Sequence, residues 1–228
     1  MKVKYSGIMS DARGKLNGSV ASKNRYGQYL RNKITPTNPQ TSSQVAQRAK
    51  LATFASKWRS LTPAQRLAWN NAVGNYTGTN IFGDVTTPSG NVLYNRLNMT
   101  LATVNEDSIN LPPLPLGAST PEELDASVNV STGLAEITIL PNSVPTDHKL
   151  VIESTAPLSA GIFNANNQFR IVSVDPSLTA GVADIFDAIE EKFGTPTAGL
   201  KMFFKVSFYR TDTGEKSQSL KTSTIVVG

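Results

Sequence analysis

The chain has no cysteine and one histidine in 228 residues, which excludes a disulfide framework, a thiolate metal site and an imidazole cluster. No apolar run approaches the roughly 20 residues that a membrane-spanning helix requires. The opening MKVKYSGIMSDARGKL lacks the apolar core of roughly 7–15 residues that marks a secretory leader. The expectation is therefore a protein made in a cytoplasm, addressed to no envelope and without a membrane partner. Catalytic signatures are missing too. There is no phosphate-cradling glycine loop, no G-x-S-x-G elbow and no D-x-D-x-D-G calcium loop. His148 follows Asp147 at a strand start with no nucleophile in triad context, and reads as a turn histidine. Glu122-Glu123 and Glu190-Glu191 read as solvated faces. No cofactor, metal or catalytic residue is expected, and the protein is expected not to be an enzyme.

Acid is also scarce, but only in one half. Residues 1–100 hold fourteen Lys and Arg against Asp11 and Asp84 alone, whereas residues 101–228 hold eight against fifteen Asp and Glu. A surplus of twelve positive charges is thus followed by a deficit of seven, within a chain whose net charge is only +5. Such asymmetry predicts halves with different neighbours, and suits head-to-tail contact between copies.

The most strongly specified stretch runs from Pro36 to Val73. Thr41 offers a helix cap, and Leu51, Phe54, Trp58 and Leu61 make an apolar stripe at helical spacing. Thr62-Pro63 with Gln65 is a capping box, opening a second helix that presents Leu67, Trp69, Ala72 and Val73. Together they predict an αα-hairpin. Ser89 caps a third helix over about 90–104, with Leu93, Leu97, Leu101 and Val104 on one face, so a small bundle around Trp58 and Trp69 is expected.

Upstream, Val3–Ile8 is a strand candidate, and Leu16–Asn24 and Gln28–Ile34 read as a two-stranded ribbon about Arg25-Tyr26-Gly27. Its few apolar residues favour an arm ordered by a partner. Downstream, 105–125 carries four prolines between Leu111 and Pro121 and reads as a linker. Beyond it, strands are expected over 126–130, 134–140, 149–154, 168–174, 200–211 and 216–227. The last two flank Asp212-Thr213-Gly214 as a hairpin. One helix is expected over Gly181–Phe193, ending at Gly194. The predicted fold class is α+β: a β-hairpin arm (1–35), a helical region (36–104), a proline-rich linker (105–125) and an all-β immunoglobulin- or fibronectin-III-like sandwich with an inserted helix (126–228).

Tyr5, Tyr26 and Tyr29 interleave with Lys4, Lys23, Arg25 and Arg31, a mixture that suits either stacking and phosphate neutralisation on nucleic acid or docking on an acidic protein. The absence of a known nucleic-acid motif favours the protein partner. The residues expected to anchor are Lys15, Arg25, Tyr26, Tyr29, Arg31, Arg48, Arg59 and Arg66. On the sandwich, Phe203, Phe204, Phe208 and Tyr209 are expected to alternate as core residues rather than to form a carbohydrate platform.

Residues 14–20 (GKLNGSV), 24–31 (NRYGQYLR), 36–41 (PTNPQT), Gln47-Arg48 and 58–70 (WRSLTPAQRLAWN) resemble a family encoded among bacteriophage structural genes, phages of Bacteroidetes included. The resemblance covers about a third of the chain and carries over no catalytic residues. It implies a virion protein assembled in the host cytoplasm and leaves its place in the particle open; taken with the charge split and the proline-rich linker, the expectation is a multi-copy, capsid-associated protein of the minor capsid, decoration or head-fibre type that anchors by its basic N-terminal region and projects the sandwich. Its partners would be other virion proteins, the major capsid or portal and neck proteins. A neck or tail connector and a nucleic-acid-binding protein are the alternatives.

Overall fold

The computed structural model describes residues 2–3, 12–34, 37–165 and 167–228, and they form a mixed α+β protein of four α-helices and antiparallel sheets. The chain divides into two units, Met1–Asn95 and Arg96–Gly228.

In the first unit, Asn17-Gly18 is a pair that readily takes the positive φ of a two-residue hairpin turn, and Asn17 has φ 49°. It separates β2 (Gly14–Leu16) from β3 (Ser19–Asn24), and Arg25-Tyr26 separates β3 from β4 (Gly27–Asn32). With β1 (Lys2–Val3) against β4, the sheet runs β1-β4-β3-β2. The expected two-stranded ribbon is thus part of a four-stranded sheet, because the Asn17-Gly18 turn splits its first strand and β1 adds a fourth. The expected strand over Val3–Ile8 starts within β1, and its remainder lies outside the described residues. Only Ala21 of this sheet is buried among the described residues.

α1 (Ser42–Ser60) begins where the Thr41 hydroxyl accepts a hydrogen bond from the Gln44 N–H, and α2 (Pro63–Ala72) begins at the expected capping box, Thr62 with Gln65. The stripe on α1 is shorter than its spacing suggests. Phe54 and Leu61 are buried and Trp58 half-buried, but Leu51 is 48% exposed, as Leu67 of α2 is 58% exposed. The reason is that α1 outruns its neighbours: every residue from 42 to 53 is exposed. The ring of Tyr94, fully buried on α3 (Gly90–Thr103), meets Trp58 at 5.4 Å and Trp69 edge-on at 5.3 Å. Aromatic edges and faces attract in this arrangement, so one tyrosine joins both tryptophans. Between α2 and α3 lies a single 3₁₀ turn (Val73–Tyr76) and then a two-residue-strand hairpin, β5 (Gly78–Thr79) with β6 (Val85–Thr86). It is tied off by the Asn80 carboxamide, whose Oδ1 accepts from the N–H groups of Phe82 and Asp84.

The boundary between the units falls inside α3, after Asn95. Leu97, Leu101 and Val104 are buried as expected, Val104 against Val151 and Tyr209 of the second unit. That unit is built on two sheets, β10-β9-β12-β13 and β11-β8-β7, from β7 (Glu123–Asn129), β8 (Leu134–Leu140), β9 (His148–Ser154), β10 (Arg170–Val174), β11 (Val182–Asp184), β12 (Lys201–Arg210) and β13 (Leu220–Ile225). Alternation along the strands sends Val128, Ile137, Ile139, Leu150, Ile152, Met202, Phe204 and Phe208 into one core between them. The backbone of Val227 bonds to Val128 and Val130, joining β7 to the chain's last residues at one edge.

Two expectations fail here. Gly181–Phe193 is not one helix: Val182–Asp184 pairs with β8 as β11, and only α4 (Phe186–Phe193) is helical. Val182, Ile185, Phe186 and Ile189 fit a helical stripe, yet the Asp184 carboxylate turns the chain by accepting from the N–H groups of Ala135 and Phe186. Gly194 ends α4 as expected, with φ 81°. Nor is 105–125 a free linker. Glu106 pairs with Lys149 at 2.7 Å, and Asn98 exchanges hydrogen bonds with the backbone of Ile109. Glu215 accepts from the N–H groups of Leu116 and Gly117, and Glu123–Asp125 already lies in β7. Proline forbids helix here, but it leaves the remaining amides to be bonded by the sandwich unit.

Candidate docking surface

In an antiparallel sheet, directly opposed residues share a face. The register sets Lys15 opposite Val20 and Val20 opposite Arg31, and one rung on sets Ser22 opposite Tyr29. Lys15, Arg31 and Tyr29 therefore share one face, the two cations separated by two strand spacings, about 10 Å. The other face carries Ala21 with Leu30 and is the more apolar. Arg25 and Tyr26 form the two-residue turn at one end, Arg25 exposed and Tyr26 half-buried. Arg48 is exposed on α1 and donates to the Asn38 side chain at 2.9 Å. Arg59 is exposed in the last turn of α1, and Arg66 is half-buried on α2. The structure thus gathers three of the eight proposed anchoring residues on one sheet face, with Arg25 and Tyr26 at its end. The other three lie on the helices.

Among the described residues no group of three or more His, Asp or Glu could hold a metal ion. His148 is bonded on both ring nitrogens: Nδ1 lies 2.7 Å from the Thr146 carbonyl oxygen, and Nε2 accepts from the Ser119 N–H at 3.2 Å. This requires the tautomer protonated at Nδ1 and ties the ring into the loops. Arg210 grips Asp212 with two parallel bonds of 2.8 and 2.6 Å, which holds the Asp212 carboxyl below the usual carboxylate range and the guanidinium above its own. Lys216 is the reverse of a buried-lysine case. Desolvation pulls its pKa down, but the Tyr209 hydroxyl and the Glu153 carboxylate outweigh it and hold the ammonium above the ordinary value. These are structural pairs within the sandwich.

One concave feature lies on the outer face of the sheet β10-β9-β12-β13. A groove of about 320 Å³ is lined by Phe163, Phe169, Phe203, Asn164, Lys221 and Ser223. Phe163 is 91% exposed. The Lys201 ammonium lies 5.9 Å and 5.2 Å from the ring centres of Phe163 and Phe203, and those of Lys205 and Lys221 lie 5.2 and 5.6 Å from that of Phe169. The strand residues Phe204 and Phe208 are core, as expected, whereas Phe203 and Tyr209 face the other way. Phe163 escapes a sequence reading because the loop that carries it has no periodicity to betray a surface role, whereas Phe169 falls within the strand expected over 168–174 and sits just before β10.

Fold and surface define an α+β protein with an antiparallel two-sheet sandwich and a cationic N-terminal unit. No protein family and no curated protein matches the chain. Among solved structures it is similar to an Fn3-like protein from Clostridium thermocellum, with a TM-score of 0.32 and 13% identity over 48% of this chain and 94% of that one. It is also similar to the chicken interferon gamma receptor alpha chain, with a TM-score of 0.30 and 14% identity over 47% of this chain and 44% of the receptor chain. At these scores the likeness is general.

Proposed function

We propose that the protein is a non-enzymatic structural component of a bacteriophage particle, capsid-associated, which docks on an acidic neighbouring subunit through its basic N-terminal unit. The observation that carries this is the exposed cationic surface of residues 12–60, which contains no acid. Lys15, Arg31 and Tyr29 share a sheet face, and the first twelve residues of α1, about 18 Å of helix, are all exposed. A helix of that length is marginal alone in water, so a surface of this kind suits a partner. The sandwich, with seven strands in a three-plus-four arrangement, is read as fibronectin-III-like and as a mechanical module. Many copies per particle would give avidity to contacts that are weak singly.

Imaging of purified particles tests the placement: density for the chain on the head supports it, and density confined to the neck or tail replaces it with the connector reading. Retention on DNA that falls steeply with salt would favour a nucleic-acid role instead. The exposed Phe163 favours a second reading, a carboxylated saccharide held by the sandwich groove on its phenyl rings and Lys221. Loss of uronate-oligosaccharide binding in Phe163→Ala would support it, and absence of binding by the unaltered protein would dismiss it.

A further inference from the structure

The outer face of the sheet β11-β8-β7 is the charge complement of the N-terminal sheet. Ala126 and Val128 of β7, Ala135, Ile137 and Ile139 of β8, and Ala183 of β11 point into the core, so their neighbours along each strand point out. The outward set contains Glu123 and Asp125 on β7, Glu136 on β8 and Asp184 on β11, all four exposed, with no lysine or arginine on these strands. None of the four has an ion-pair partner among the described residues. Asp125 bonds only its neighbouring Ala126 N–H, and Asp184 caps the chain at Ala135 and Phe186. Glu136 and Asp184 are directly opposed in the register, which sets like charges against each other at a local cost that a cation from outside would relieve. Leu134 and Leu140 add 41% and 37% exposed apolar side chains to the same face.

We infer that this acidic face receives the basic sheet face of a second copy of the same chain, so that molecules associate head to tail. Both faces carry their charges on one lattice, about 5 Å between strands and about 7 Å between same-side residues along a strand. Lys15 and Arg31 on one, across Val20, are matched by Glu136 with Asp184 and by Asp125 on the other. A divalent cation is the poorer occupant, since no three carboxylates converge among the described residues. Magnitude decides the kind of contact. Two strands of seven residues and one of three cover at most about 14 by 24 Å, well below the roughly 800 Å² per partner of a standard interface. The contact is therefore weak, salt-sensitive and additive along an assembly. Because it joins two different faces, it propagates into rings or filaments rather than closing as a symmetric dimer.

The inference rests on the docking reading above and names the neighbour. Sedimentation velocity of the full chain tests it. At about 20 mM salt the protein should show concentration-dependent association beyond a dimer, and at about 300 mM it should sediment as a monomer. The variants K15E/R31E and D125K/E136K should each be monomeric at low salt, and an equimolar mixture of the two should associate again. D125N/E136Q, which keeps the surface shape, should also abolish association. Circular dichroism unchanged from the parent confirms that each variant is folded. A parent chain that stays monomeric at low salt, or a mixture that does not re-associate, overturns the inference. If such a chain still enters particles through its basic unit, docking on a different acidic subunit survives while self-association does not.

Discussion

Gly214 lies in the turn between β12 and β13 with φ 72°, and a Cβ there would press on the carbonyl group of Leu97. Gly133 has a similar φ of 65° but open space around its missing side chain. Both substitutions to alanine carry the left-handed backbone cost, about 1 kcal/mol, and only Gly214→Ala adds the clash. Urea titration should find Gly133→Ala destabilised by about 1 kcal/mol and Gly214→Ala by about 2–4 kcal/mol. Equal losses would show that the helix carrying Leu97 yields freely. Asp212 makes a pH-dependent contribution of definite sign. In the unfolded chain it takes up a proton near its ordinary value of about 3.9, whereas in the folded chain Arg210 keeps it ionised to lower pH. The pair therefore stabilises above that range, and the stabilisation is lost as pH falls below it. Thermal unfolding should show a shallower loss of stability in acid for Asp212→Asn than for the parent. Tyr94 works at the other end: burial disfavours its phenolate and raises its pKa, so its contribution is complete below about pH 10 and lost above it. The capping box at Thr62, the cap at Gly194 and the buried Trp69 are legible in the sequence because each uses a local rule. Tyr94 is not, since its place between two tryptophans depends on where three helices meet.

α1 illustrates how periodicity reports a helix without reporting what covers it. Val45 and Leu51 fall on helical turns yet are half exposed, while Phe54 is buried only because α1 reaches the aromatic cluster at that point. Val45→Ala and Leu51→Ala should change stability by less than about 0.5 kcal/mol, and Trp69→Ala should cost about 3–5 kcal/mol. Amide exchange should be fast over residues 42–53 and slow at the α1 turn carrying Phe54. Protection of 42–53 equal to that of 54–60 in the isolated protein would contradict the reading of this half as a surface awaiting a partner. The strands beyond Glu123 were largely legible, since β8 matches its predicted span and β9, β10 and β12 lie within one or two residues of theirs. β11 was not. Its three residues are too few for alternation to outvote a helical spacing that continues into α4. The proline-rich segment misleads for a different reason: its composition suggests a tether, but its hydrogen bonds to Glu215, Arg210 and His148 are long-range and leave no local trace.

At the scale of the molecule, charge is the feature that sequence shows most plainly and structure makes specific. The sequence predicts a cationic front and an anionic rear; the register decides which residues share a face. Lys15 and Arg31 are sixteen positions apart yet flank one valine, and Glu136 meets Asp184 across forty-eight. The most direct test of the docking account is the amount of K15E/R31E relative to parent chain in purified particles, measured by quantitative mass spectrometry after co-expression of the two. The account predicts that the charge-reversed chain, folded and equally abundant in the lysate, is depleted from particles at least tenfold. Equal incorporation would contradict it.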